Sequence, residues 1–261
     1  MAKIRAVFTD IDNTLTSPIT HEIPQSAVRA LELARKNGIL VVAATGRNLI
    51  GNLKQPIENQ EFDAYITVNG QYCYLPDGTT LRFAPFDPDV VERTIDLGLE
   101  HVFFASYCEK GRIYVNGIDP LMEEFFSFFK SPVPPVLPIE KIDKEGILSI
   151  IPFVPHTLDE HLRTALPECQ LLRWSPYSCD LVPKSGGKEV GLSMILEHFG
   201  LSLNESLAIG DGGNDVGMIS TAGIGVAVGG AVKVAKDAAD FIAPRVDDNA
   251  IEVTFKHFGL I

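Results

Sequence analysis

Apolar positions keep two rhythms over the first eighty residues. Ile4 to Phe8 is a short apolar run of strand type, and Ile39 to Ala44 is another with no polar face, as expected of parallel strands covered on both sides. Between them Ala27, Leu31 and Ala34 recur at spacings of four and three, which predicts one buried helical stripe. Pro24 suits the first turn of that helix and Gly38 its C′ position. Strand, helix, strand predicts a right-handed crossover. Ala64 to Val68 supplies a third strand, followed by Asn69-Gly70 and a hairpin around Asp77-Gly78, where positive φ costs little. The alternation returns late in the chain: a helix over 186–199 that stops at Gly200, a strand over 206–209, a short helix over 214–220 and a strand over 224–228. The two flanks are expected to be halves of one doubly wound α/β sheet.

The middle differs. Asp87-Pro88 and Asp119-Pro120 each read as an N-cap followed by proline at the first helical position. Strand-like runs follow at 101–106, 147–154, 171–174 and 180–182, and the four prolines of 132–138 read as a stiff connection. These features predict an α+β domain at 84–183, inserted into a core made of 1–83 and 184–261. A chain of 261 residues accommodates both at roughly 150 residues per domain.

Composition narrows the function. With 46% hydrophobic and 21% charged residues, the chain lies far from the disordered corner. Its 22 basic against 34 acidic residues leave a net charge of −12, which disfavours nucleic acid and anionic lipid as partners. No apolar stretch approaches the ~18 residues of a membrane span, and the start lacks the long apolar region of a secretory signal, so the expected location is cytoplasmic. Cys73, Cys108, Cys169 and Cys179 form no CxxC pair and read as small reduced hydrophobes.

The candidate chemistry sits where strands end. Phe8-Thr9-Asp10-Ile11-Asp12-Asn13-Thr14 runs a buried strand into two carboxylates one residue apart. Ligands of open parallel sheets bind beyond the carboxyl ends of strands. A carboxylate pair there can hold a hard cation such as Mg²⁺, leaving one Asp to attack and the other to shuttle a proton. The bland alternative is an N-capping Asp plus a turn. Leu207-Ala208-Ile209-Gly210-Asp211-Gly212-Gly213-Asn214-Asp215 is a second strand ending in acids, and Asp211 with Asp215 would join the same site. Four carboxylates at one sheet edge repel one another unless a cation gathers them. Ala44-Thr45-Gly46-Arg47 follows another strand, where a hydroxyl and a helix N-terminus would suit a phosphate oxygen; a plain N-cap is the alternative. Lys188 opens a helix against its dipole, tolerable if it faces an anion, and Lys184 competes for that role.

Taken in order, Asp10-x-Asp12-Asn13-Thr14, Thr45-Gly46-Arg47, Lys188 and Gly210-Asp211-x-x-Asn214-Asp215 resemble the four motifs of the haloacid dehalogenase superfamily. The large insertion between the second and third motifs, Asn69-Gly70 and Lys188-x-x-Gly191-Leu192 resemble its Cof-type phosphatases. The resemblance implies a Rossmann-like core, a mobile cap that chooses the substrate, and Mg²⁺-dependent hydrolysis of a small phosphorylated metabolite, usually a sugar phosphate. It also favours Lys188 over Lys184. By resemblance, Asp10 is the nucleophile that forms an aspartyl-phosphate, and Asp12 is the general acid and then the base. Thr45 and Lys188 hold the phosphoryl group. Gly46, Arg47, Asn69, Gly70 and Asn214 complete the phosphate-binding set, while Asp10, Asp12, Asp211 and Asp215 form the metal set. Asp12 is expected to titrate above its free value once substrate excludes water.

There are two departures. Asn13 replaces the commoner Gly, a mild change because it tolerates left-handed geometry, and Val228-Gly229-Gly230-Ala231 stands where many Cof-type members carry an Asn, which bears on a structural contact behind the metal site and not on the catalytic set. Arg112, Tyr114, Trp174, Tyr177 and Asp180 are conceivable substrate readers, with a role in the fold as the alternative for each. Of the six histidines only His156 and His161 have a metal-ligand spacing, and they lack companions, so all six read as surface or packing residues. Two rival functions remain at this point: a phosphomutase of the phosphomannomutase type, and a phospho-accepting signalling receiver.

Overall fold

The computed structural model describes residues 3–49, 55–101, 103–128, 131–173 and 175–261. The chain forms two compact units, Met1–Phe83 with Gly186–Ile261, and Ala84–Ser185.

The first unit is built on an eight-stranded sheet. Its strands are β1 (Ala6–Thr9), β2 (Leu40–Ala44), β3 (Ala64–Thr67), β4 (Tyr72–Tyr74), β5 (Thr80–Phe83), β11 (Ser206–Gly210), β12 (Ile224–Ala227) and β13 (Phe241–Ile242), in the order β13-β12-β11-β1-β2-β3-β4-β5. Pairing is parallel from β13 through β3 and antiparallel at β3–β4 and β4–β5. The hairpin turn closes through the Leu75 N–H on the Thr79 carbonyl, with Gly78 at φ 88°. Strand residues are buried on both faces because helices lie on both. The α1 helix (Gln25–Lys36) packs Ala27, Leu31 and Ala34 into one core cluster with Val41, Leu207 and Ile209. On the other face α5 (Lys188–His198) brings Leu192, Ile195 and Leu196 against Phe8, Val42, Ile66 and Ala208. The α6 (Val216–Thr221), α7 (Lys233–Ala238) and α8 (Ala250–His257) helices complete the layers. Sheet order places β1 beside β11 and β2, so residues just past the ends of all three emerge at one rim.

The second unit carries a five-stranded antiparallel sheet. Its strands are β6 (Ala105–Cys108), β7 (Ile113–Val115), β8 (Ser149–Pro152), β9 (Cys169–Arg173) and β10 (Cys179–Pro183), in the order β7-β6-β8-β10-β9. The α2 (Pro88–His101), α3 (Pro120–Phe128) and α4 (Asp159–Ala165) helices accompany it. Alternation along the strands separates two faces. Ala105, Tyr107, Ile150 and Leu181 join Val91, Ile95 and Leu162 in one core, while Val115 and Phe153 join Met122, Phe125 and Phe126 in another.

Strand bounds shift in several places, two of them with a visible cause. The run predicted at 101–106 yields the end of α2 and a strand that begins only at Ala105, because the Phe103 N–H closes on the Gly98 carbonyl and finishes the helix. The third core strand stops at Thr67, since Val68 turns to φ 53°. Trp174 lies outside the described residues.

Candidate active site

Asp10 follows β1 directly, and its N–H donates to the Ile209 carbonyl at 2.9 Å, tying the first acid to the neighbouring strand. On that neighbour Gly210 has no space for a side chain: a Cβ would meet the Asp215 Cβ at 2.4 Å. The bare backbone lets Asp215 fold over the strand end. Its Oδ2 accepts from the N–H groups of Asp211 at 3.0 Å and Gly212 at 2.9 Å, and its Oδ1 accepts from Lys188 Nζ at 2.6 Å. Lys188 Nζ also donates to Asp10 Oδ1 at 2.6 Å. Lys188 and Asp215 are 0% exposed and Asp10 is 5% exposed. Lys184, the competing lysine, is an exposed residue whose N–H donates to the Glu168 carbonyl within the other unit.

Asp211 completes an acidic triad: Asp10, Asp211 and Asp215 each offer an oxygen within 4.8 Å of the others. The Thr14 hydroxyl donates to Asp211 Oδ1 at 3.0 Å and orients that carboxylate. Three carboxylates surround one ammonium, so negative charge is left over. Burial drives the Asp10 carboxyl well above the usual range; Lys188 opposes this, and Asp215, Asp211 and Asp12 add to it. Burial and then Asp215 push Asp211 up to about 6, against the Thr14 hydroxyl. Burial alone would lower the Lys188 pKa, but Asp10 and Asp215 outweigh it and hold the group raised. Oxygen donors with uncompensated negative charge fit a hard divalent cation.

Thr45 follows β2. Its N–H donates to the Ile66 carbonyl at 2.8 Å, and its Oγ1 accepts the Arg47 N–H at 3.0 Å. That second bond occupies a lone pair and leaves the hydroxyl proton to donate. Among the described residues no helix opens here: 46–49 are irregular, the turn is closed by the Thr45 side chain itself, and residues 50–54 lie outside the described residues. Asn13 takes a left-handed φ of 57°.

Asp12 stands apart from the triad, in a bidentate pair with Arg47 whose Nε donates to Oδ2 at 2.7 Å and whose Nη2 bonds Oδ1. Arg47 Nη1 donates further to the Gln55 carbonyl at 2.8 Å. This pairing is not evident from the sequence, although an Arg two residues past Thr45, in the loop after the strand beside the first motif, is the available signal. Asn69, Gly70 and Asn214 reach the same rim: Asn214 Nδ2 donates to Asn69 Oδ1 at 3.0 Å, and Gly70 packs so closely on Gly187 that a Cβ would lie 2.1 Å from its carbonyl oxygen.

In the second unit Arg112 and Tyr114 are both committed to Glu109, through two guanidinium bonds of 2.8 Å and a phenol bond of 2.9 Å. The Tyr177 hydroxyl donates to Glu124 at 3.1 Å, and Asp180 is half-buried on β10.

Residues 7–254 match the family model of the haloacid dehalogenase-like hydrolases, and the chain belongs to that family. Its relatives include phosphatases that match it over nearly the full length of both chains. The BT1666 phosphatase of Bacteroides thetaiotaomicron superposes with a TM-score of 0.93 at 30% identity, over 99% of this chain and 96% of that one. BT4131, a sugar phosphatase of subclass IIB, superposes with a TM-score of 0.90 at 32% identity, over 98% and 100%. The YkrA protein of Bacillus subtilis is 29% identical over 98% of each chain. A longer relative from Streptococcus pyogenes is 30% identical over 99% of this chain, which spans 55% of that protein's length. No helix among the described residues is long and apolar enough to cross a membrane.

Proposed function

We propose that the protein is a Mg²⁺-dependent phosphatase that hydrolyses small phosphomonoesters, with sugar phosphates as the leading class, through an aspartyl-phosphate on Asp10. One observation carries the reading: a fully buried Lys188 joins Asp10 to Asp215 while a third carboxylate, Asp211, remains beside them. An ordinary buried ion pair balances its own charge. This one leaves an acid to attack, a cation to bind and an ammonium to steady the reacting oxygen.

Asp10, the Asp12 carbonyl and Asp211 would hold Mg²⁺, which when bound neutralises charge on the phosphoryl oxygens. Asp215 has both oxygens engaged and holds the metal loop in place. A carboxylate oxygen of Asp10 attacks phosphorus in line, the bond from phosphorus to the leaving alcohol breaks, and Asp12 gives that alcohol its proton. Asp12 then takes a proton from water as the water oxygen attacks, releasing phosphate and restoring Asp10. Thr45 and the Gly46 backbone grip the transferring group with Lys188, and Asn69, Gly70 and Asn214 wall the pocket beside them. For Asp12 to act, its carboxylate must leave Arg47, which makes that pair the resting position of the acid. Residues 84–185 act as the cap that selects the substrate body. The sugar phosphatase BT4131 and the HMP-PP phosphatase of Cronobacter sakazakii, 26% identical over 89% of this chain, support a small phosphorylated substrate.

The test is a panel of phosphorylated metabolites incubated with protein and Mg²⁺. Steady phosphate release is expected. Isomerisation of a hexose phosphate without release would replace hydrolysis with a mutase, and a lasting phosphoprotein without turnover would replace it with a receiver.

A further inference from the structure

Asn69 is expected among the groups that face the phosphate, yet its side chain is directed into the protein. It lies in a turn of three consecutive left-handed residues, Val68 at φ 53°, Asn69 at φ 51° and Gly70 at φ 85°. A β-branched residue at positive φ is an outlier, and such backbone persists only where its surroundings over-determine it. Here they do. The Val68 N–H donates to the Arg47 carbonyl at 3.0 Å, and the Asn69 N–H donates to the Thr45 carbonyl at 3.1 Å. The Gly187 N–H, one residue before Lys188, donates to the Asn69 carbonyl at 3.0 Å. Arg82 Nε donates to the Gly70 carbonyl at 2.9 Å.

The side chain adds the remaining tie. Asn69 Oδ1 accepts from Asn214, in the loop of Asp211 and Asp215, and the same amide lies against Gly46, where a Cβ would meet Oδ1 at 3.2 Å. One buried amide therefore touches the phosphate turn and the metal loop, while its own backbone holds the approach to the lysine. We propose that Asn69 is a positioning residue: through Asn214 it registers the loop carrying Asp211 and Asp215 against the Thr45–Gly46 turn, without contacting the phosphoryl group itself. The kinetic form of this inference rests on the phosphatase reading above.

The experiment is a double-mutant cycle. Asn69→Gly removes the amide while glycine accepts the left-handed backbone; Asn214→Ala removes the partner from a half-buried loop position; the third variant carries both. Turnover of p-nitrophenyl phosphate with saturating Mg²⁺ and thermal melting are measured for each. Each single variant is expected to lose about 10- to 100-fold in kcat with KM changed less than about threefold, and the double variant to fall no more than about threefold below the worse single one. Losses that multiply would overturn the proposal. So would an Asn69→Gly variant that melts early with normal kcat, or one changed only in KM. If Asn69→Gly does not fold, Asn214→Ala alone decides: an unchanged kcat overturns the inference. If wild-type protein releases phosphate from no phosphomonoester, the functional reading fails on its own. The same cycle is then read in the Mg²⁺ affinity by calorimetry, where non-additive losses support Asn69 and additive ones refute it.

Discussion

Each unit contains a cation drawn in from solvent, and the two are treated in opposite ways. In the inserted unit Arg173 bonds Asp159 through Nε at 3.0 Å to both oxygens, and its Nη1 reaches the carbonyls of Val154, Ser175 and Ser178 at 3.0–3.2 Å. One guanidinium meets one carboxylate, and three loop carbonyls take a share. In the core unit Lys188 meets two carboxylates directly with a third close by, and burial, reinforced by the neighbouring acids and opposed by Lys188, pushes Asp10 and Asp211 toward protonation. The first arrangement is closed and holds loops together. The second carries more negative charge than its one ammonium neutralises, and that excess marks a place prepared for a ligand.

The contrast breaks most visibly at Asp10. Asp10→Asn should reduce phosphate release by roughly 10⁴-fold or more while circular dichroism stays unchanged, because the nucleophile is lost and no packing is. A variant that keeps near-normal rates would remove Asp10 from the chemistry. Lys188→Met should follow, with turnover down by about 10³-fold and unfolding in urea easier by about 3–5 kcal/mol, since two buried carboxylates lose their partner. If stability instead rose, Lys188 would be compensating less charge than the geometry implies.

Metal and pH sharpen the comparison from another side. EDTA should silence turnover, and rates surviving full chelation would contradict the metal assignment. For the metal-free protein, an acid with a raised pKa contributes stability that is present below its ordinary value near 3.8 and is lost as pH rises through about 6. Mg²⁺ replaces the lost protons. Its addition should therefore raise the melting temperature more at pH 7.5 than at pH 5, and equal shifts at both would mean that Asp211 is not part of the metal set.

The closed cluster gives smaller effects. Arg173→Ala should lower stability by about 2–3 kcal/mol, leaving one carboxylate and several carbonyls unpaired, while changing kcat for p-nitrophenyl phosphate only a few-fold. The exposed Arg112–Glu109 pair sets the floor: Arg112→Ala should move the melting temperature by less than about 2 °C.

Much of the site is legible in short stretches of sequence. Acids directly after apolar runs, a Thr after another such run and a lysine placed against a helix dipole are local patterns, and strand–helix alternation alone predicts that their ends share a rim. What escapes is long-range. Arg47 pairs with Asp12 across 35 positions, and Thr14 orients Asp211 across 197. The left-handed turn at Val68 could not be anticipated, because valine favours an extended backbone and it is long-range contacts, from Thr45, Arg47, Gly187 and Arg82 among others, that hold the turn otherwise. Arg112 and Tyr114 look like substrate readers by type, and it is their neighbour Glu109 that engages both.

By itself the sequence determined the class of fold and which residue types follow its strands, since those follow from periodicity and from what a strand end exposes. Tertiary structure alone decided which lysine is buried, how the charges balance and which amide ties one loop to another. Burial and hydrogen-bond partners depend on segments far apart in the chain, and no local pattern carries that information.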